Sequence, residues 1–182
     1  MEKLDTNVNK QKFILVTNPD ANFEDYGWTR EYVEDLLYIE RFEPDNECMS
    51  DPVVLNDLGI IFCDGIGTEV DMERAVKYYS LAVALGDDLA KSNLADIYRK
   101  GTNGVEKDLK RAFDLYLSCH LPYAYYRVGE AYESGRGVEK DLEKAKQYYR
   151  IAYDNEHPLA KRKLQTFNFI EGWERKSLCS MY

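Results

Sequence analysis

The sequence predicts an all-α, right-handed superhelical solenoid of three helix pairs with a capping helix at each end. Two observations carry this. A block of some two dozen residues recurs three times in register, and each copy holds two stretches at helical spacing around a glycine-containing corner. "LGIIFCDGIGTEVDMERAVKYYSLA" begins at Leu58, "LADIYRKGTNGVEKDLKRAFDLYLSC" at Leu94 and "VGEAYESGRGVEKDLEKAKQYYRIA" at Val128. Gly59, Ala95 and Gly129 correspond, as do Phe62, Tyr98 and Tyr132, then Asp71, Asp108 and Asp141. Ala75, Ala112 and Ala145 follow at a constant interval, and Tyr79, Tyr116 and Tyr149 at another. Self-similarity of this kind marks a repeat architecture, in which neighbouring units bury one another's apolar faces.

In the first helix of each unit, the small residue and the aromatic three positions on share one face. In the second, Leu142, Ala145, Tyr148, Tyr149 and Ala152 form the apolar stripe of the third copy. Gly65, Gly101 and Gly135 fall where the first helix should stop, because glycine takes the left-handed conformation at little cost. Asp71, Asp108 and Asp141 fall where the second should begin, as acceptors for its free N–H groups. The alternative for "GRGVEKD" is a phosphate-cradling loop. That loop would follow a strand and carry a GxxxxGK[ST] or GxGxxG framework. Here a helix precedes it and the third glycine is missing, so the glycines make a corner.

The copies are not identical. Gly59 and Ala95 are 36 residues apart, whereas Ala95 and Gly129 are 34 apart. "GTNG" adds one residue, and "SCHLPYAYY" is a shorter join in which Pro122 opens the next helix. "HPLAKRKLQTFNFI" continues the pattern through Leu159, Ala160 and Leu164 and is expected to cap the array. At the other end, "WTREYVEDLLYIERF" has Val33, Leu36, Ile39 and Phe42 near helical spacing, with Thr29 as N-cap. The chain therefore divides into an N-terminal extension (1–50) with a short extended segment at Phe13–Thr17 and an acidic capping helix, a repeat region (51–171), and a tail (172–182) that includes Trp173. The extended segment is expected to dock on the helices, pair with a copy of itself, or reach a partner.

Units with GxGVxxD loops, an alanine four residues after the aspartate and a following tyrosine pair resemble Sel-like repeats, relatives of the tetratricopeptide repeats. The resemblance covers residues 51–171 and implies an adaptor or scaffold. It also implies that first helices line a concave groove, with residues beside the small position facing the partner. On this sequence these are Asn56, Ile60 and Asp64, then Ser92, Asp96 and Arg99, then Tyr126, Glu130 and Glu133, with Arg162 and Thr166 on the cap. Some members staple each unit with a cysteine pair; this sequence shows no such pairs.

Composition sets the remaining bounds. Hydrophobic residues make up 45% of the 182 and charged residues 31%, a globular balance. No apolar run approaches the roughly 20 residues of a membrane span. "MEKLDTNVNK" lacks the pattern of a secretory leader, so a cytoplasmic chain with free thiols at Cys48, Cys63, Cys119 and Cys179 is expected. Cys63 and Cys119 are expected inside helices. His120 and His157 stand apart near helix ends, and no zinc, nucleophile-elbow or other catalytic pattern appears. No enzyme activity, cofactor or metal is predicted.

Charge is uneven: residues 1–70 hold 16 acids and 5 bases, and residues 71–182 hold 17 acids and 19 bases, within a total of −9. With no basic stripe, nucleic acid is not the expected ligand. A protein or peptide partner is, and a basic one would meet acids such as Glu34, Asp35 and Glu40. Of the 15 tyrosines, the doublets Tyr78–Tyr79 and Tyr148–Tyr149 read as core. Tyr123, Tyr125 and Tyr126 break the repeat pattern and are the aromatic interface candidates. Three roles stay open: an adaptor bridging partners, an immunity-type inhibitor of one basic toxin or enzyme, or a regulatory subunit of an enzyme.

Overall fold

The structure, a computed structural model, describes residues 23–167. The expected extended segment at Phe13–Thr17 and the tail from residue 172, Trp173 included, lie outside the described residues. The described residues are helical throughout their regular elements. A 3-10 turn at Glu24–Tyr26 leads to α1 (Arg30–Phe42), and a second at Glu47–Ser50 leads to α2 (Pro52–Asp64). Then come α3 (Met72–Ala84), α4 (Asp88–Lys100), α5 (Leu109–Leu117), α6 (Pro122–Ser134) and α7 (Leu142–Asp154). A further helix, α8, is described over residues 160–167. The chain forms two compact units, and the division falls inside α4 after Ala90.

The local signals act where the sequence places them. Asp71, Asp108 and Asp141 each accept a hydrogen bond from the backbone N–H three residues on, at 3.0, 2.8 and 3.0 Å. Each also donates its own N–H to the carbonyl of the matching aromatic: Asp71 to Phe62 (2.8 Å), Asp108 to Tyr98 (2.9 Å) and Asp141 to Tyr132 (3.0 Å). One residue therefore starts the second helix and ties it to the first. The C-terminal glycines Gly65, Gly101 and Gly135 all have φ near +70°. Their N–H groups return to the carbonyls of Ile61, Ile97 and Ala131.

In the first unit, α2 and α3 form the repeat and α1 covers it. Leu55, Leu58, Ile61 and Phe62 from α2 pack with Ala75, Tyr79 and Ala82 from α3, all nearly inaccessible. Thr29 caps α1 as expected. The apolar side of α1 is Val33, Leu36 and Leu37, and Phe42 is 50% exposed. The expected stripe thus ends a turn early, because at 3.6 residues per turn Leu37 falls in line with Val33. Hydrogen bonds fasten α1 to the repeat: Tyr32 Oη donates to Asp57 at 2.6 Å, and Tyr78 Oη donates to Glu40 at 2.7 Å.

The second unit holds α4 from Lys91 onward, α5, α6, α7 and α8. Ala112, Phe113 and Tyr116 are buried, as are Val128, Tyr132, Ala145, Tyr149 and Ala152, and Ala160 and Leu164 of α8. Pro122 opens α6. Two expectations are corrected here. Cys119 is buried in the turn after α5, outside any helix, because α5 stops at Leu117 and the short join must lead at once to Pro122. Leu159 precedes the first turn of α8 and is 53% exposed, leaving Ala160 and Leu164 to make the contact.

Helix partners pack closely. A Cβ placed on Gly59 would lie 2.5 Å from the Tyr79 ring, and one on Gly129 would lie 2.8 Å from the Tyr149 ring. Overpacking of this kind typically costs ~1–3 kcal/mol. Gly129→Val is therefore expected to lower stability by about that amount, read as a lower urea midpoint; an unchanged midpoint would contradict the packing of α6 on α7.

Candidate functional site

The first-helix positions fall into three environments. Asn56, Ser92 and Tyr126, three residues before the small position, are 4%, 8% and 7% exposed and belong to the packing. Ile60 and the positions after the small residue in the second unit are half-buried, and Asp64 is exposed. Tyr126 lies against the His157 ring, with centroids 4.5 Å apart, so its ring is covered within the second unit. Arg162 is exposed on α8, and the neighbouring Lys163 turns inward instead.

In the second unit the structure gathers Asp96, Arg99 and Tyr123 into one network. The Asp96 carboxylate accepts hydrogen bonds from the Tyr116 hydroxyl, from Tyr123 Oη at 3.0 Å and from Arg99 Nε at 2.9 Å. Burial alone would raise the Asp96 pKa. The hydrogen bonds from Tyr116 and Arg99 outweigh it and hold this carboxyl below the ordinary value.

The chain of contacts continues through Arg127, whose guanidinium carbon stands 4.8 Å from the Tyr123 ring centroid and whose Nη1 donates to Glu130 at 2.6 Å. Glu133 is held separately. It accepts from Tyr149 Oη at 2.5 Å and from Lys163 Nζ at 2.6 Å. Burial opposes its ionisation too, and the Lys163 and Tyr149 hydrogen bonds again prevail, lowering its pKa.

Between these groups lies a cleft of about 370 Å³ within the second unit. Its walls carry Arg99, Arg127 and Lys163 beside Glu130 and Glu133, and its floor is Ala112, Phe113 and Tyr116. Two loop residues, Lys107 and Arg136, also line it, as does Leu109. Sequence reasoning missed Arg127, Lys163, Lys107 and Arg136. The Arg127–Glu130 spacing was a readable signal, since residues three apart are neighbours on a helix. Lys163 reaches Glu133 from 30 residues away, and no local pattern announces that.

The candidates of the first unit, Asn56, Ile60 and Asp64, follow one another at intervals of four along α2. Asp64 accepts from Tyr26 Oη at 2.8 Å, and burial with this bond pushes the Tyr26 hydroxyl up to about 12. Asp57, 8% exposed, has its pKa raised by burial despite bonds from Tyr32 and Asn56. Of the three acids expected to meet a basic partner, Glu40 is engaged with Tyr78 and with Arg74 at 3.5 Å. Glu34 lies 3.8 Å from Arg30. Among the described residues no cluster of three His, Cys, Asp or Glu side chains is placed to hold a metal ion. No described helix is long and apolar enough to cross a membrane.

Comparison with known proteins places this geometry. The Sel1 repeat family model matches residues 52–87, 89–118 and 122–157. A stretch of 100 residues is 34% identical to the chitin synthase regulator SKT5 of Saccharomyces cerevisiae, covering 53% of this chain and 14% of that protein. Another of 87 residues is 36% identical to the ERAD-associated E3 ubiquitin-protein ligase component HRD3 of Candida glabrata, covering 44% and 10%. The chain thus spans only a small part of these relatives. Among solved structures, a Sel1 repeat protein from Oxalobacter formigenes aligns with a TM-score of 0.62 at 28% identity, covering 76% of this chain and 99% of the other. The protective antigen c5321 of uropathogenic Escherichia coli, described as an SLR fold, aligns with a TM-score of 0.70 at 21% identity over 91% of this chain and 33% of its own. The all-α repeat fold read from the sequence is the fold these neighbours share.

The depressed carboxyls have a consequence for stability. Asp96 and Glu133 have folded pKa values below their unfolded ones, so their contribution is present above the unfolded values, about 4, and is lost as pH falls below them. Asp57, raised by burial, works in the opposite sense. At neutral pH the wild type should be more stable than Asp96→Asn or Glu133→Gln. That difference should shrink as pH drops below about 4. Urea melts of the three proteins across this range check it; a difference independent of pH would contradict the assignment.

Proposed function

We propose, from the premise that this chain belongs to the Sel1 repeat family, that it is a protein-interaction module acting as a cytoplasmic adaptor for protein or peptide partners. The observation that supports this best is the state of the polar side chains on the first helices. Asp96, Arg99, Tyr123, Glu130 and Glu133 are all held in hydrogen bonds or ion pairs, several of them charge-assisted. Fixed donors and acceptors of this kind form a surface that loses little conformational freedom when a partner docks. They do not present an unengaged nucleophile beside a base, the arrangement that covalent catalysis requires. The names of the two relatives, a regulator of an enzyme and a component of a ligase, are compatible with a binding role.

Partner chemistry follows from charge. Residues 23–90 hold 17 acids and 4 bases, a net of −13, whereas residues 91–167 hold 11 acids and 15 bases, a net of +4. A partner of the first unit is accordingly basic, drawn by its summed field. Opposite signs on the two units favour an adaptor with two unlike partners over an inhibitor with one.

Affinity capture from a native lysate with the full chain as bait tests the reading. Stoichiometric protein partners are expected, and a bait that retains nothing beyond a charge-matched control would overturn it. For a partner of the first unit, Glu31→Lys, Asp45→Lys and Glu47→Lys together should lower the association rate about tenfold at low salt, with a smaller effect at high salt. These three side chains are exposed, so the melting temperature should hold. Stopped-flow association at two ionic strengths measures both effects.

A further inference from the structure

We infer that the cleft of the second unit binds an acidic peptide segment, with Lys107 and Arg136 as the residues that recognise its carboxylates. The inference deepens the interaction-module reading and rests on it. Of the five cations around the cleft, three are already engaged: Arg99 by Asp96 at 2.9 Å, Arg127 by Glu130 at 2.6 Å and Lys163 by Glu133 at 2.6 Å. Each pair is an interaction of the framework with itself. Lys107 and Arg136 also line the cleft, and neither pairs with a carboxylate among the described residues. Two uncompensated positive charges therefore face a hollow whose other charges are balanced.

The loops that carry them are built into place. Lys107 directly precedes the helix cap Asp108, whose N–H is tied to Tyr98 at 2.9 Å. Its own backbone lies against Gly101, where an added Cβ would come 2.7 Å from Lys107 Cβ. Arg136 sits between Gly135 and Gly137, both at positive φ. The Gly137 backbone passes so close to the Leu109 carbonyl that a side chain there would collide with it. That approach fixes the Arg136 loop against the start of α5, beside Lys107. Two loops of successive repeats thus set two cations at the rim of one cleft.

The lining selects the ligand class. Leu109, Ala112 and Phe113 supply an apolar floor beneath the charged rim. A volume of about 370 Å³ accommodates one or two side chains of a docked segment. A peptide with carboxylates flanking an apolar residue matches both features. Two loop cations are few for a nucleic acid, whose binding draws on a run of phosphate contacts.

The test uses the full chain and a short fluorescein-labelled peptide of alternating Glu and Leu, followed by anisotropy. Binding is expected, weaker by at least about tenfold for the Gln/Leu counterpart and for the Lys107→Glu/Arg136→Glu variant. The variant should keep the wild-type melting temperature, because neither residue holds an internal pair; should it unfold, Lys107→Gln/Arg136→Gln replaces it with the same expectation. No binding of the Glu/Leu peptide, equal binding of the Gln/Leu peptide, undiminished binding by the variant, or displacement by inorganic phosphate at matching concentration would each overturn the inference. Preference for a Lys/Leu peptide would also overturn it while leaving the interaction module standing. A wild-type bait that captures no protein at all would remove the module itself.

Discussion

The structure depends on one contact, a tyrosine ring of the second helix laid on a residue without bulk in the first. At Gly59 and Gly129 the ring lies where a Cβ would have to be. The second repeat uses Ala95, which is completely buried, and Tyr116, which is 3% exposed. Because the helix axes can approach closely there, the cap aspartate at the other end reaches back to the first-helix carbonyl within 2.8–3.0 Å in all three copies. Close packing and the cap hydrogen bond thus brace the two ends of each pair.

A buried tyrosine also has a hydroxyl to satisfy, and this turns packing into a device for placing charge. Tyr116 donates to Asp96, one residue past the small position, and Tyr149 donates to Glu133, four past it. Both carboxylates sit on the same side of their helix, a turn apart. Each then recruits a cation, Arg99 or Lys163. The polar face of the second unit is therefore a consequence of its core. The carboxylates that look like partner ligands in the sequence spend their valence on tyrosines and cations within the unit.

This explains how far the sequence could be read. Caps, corner glycines and the tyrosine register are local, so Asp71, Gly65 and Tyr79 and their equivalents reveal themselves by spacing alone. The N-terminal helix was legible through Thr29 and Val33, though its face turned toward Leu37 and away from Phe42. The candidate site was legible only where it follows the same register. Asp96 and Arg99 fell together because their positions derive from the repeat, and Tyr123, which breaks the pattern, joins them through its hydrogen bond to Asp96. Tyr126 was hidden because its environment depends on His157, a residue outside its own helix. Lys163 was missed for the same reason: its contact with Glu133 crosses the unit, and its neighbours in sequence do not announce it.

Framework and loops consequently carry different duties. The loop of the second repeat has one residue more than the others, taken up by Asn103 at φ 49° and Gly104 at φ 90°. That insertion lies upstream of Lys107 and leaves the Asp108–Tyr98 hydrogen bond at 2.9 Å, between the 2.8 and 3.0 Å of its equivalents. Loop length can change without disturbing the helix pair, because the cap bond closes the loop at a fixed point. The core tyrosines and their carboxylates have no such freedom, since moving either end leaves a buried hydroxyl or an ion unsatisfied. Chemistry that must vary from one partner to another is therefore best carried by loop side chains such as Lys107 and Arg136, whose charges are not already bound within the fold.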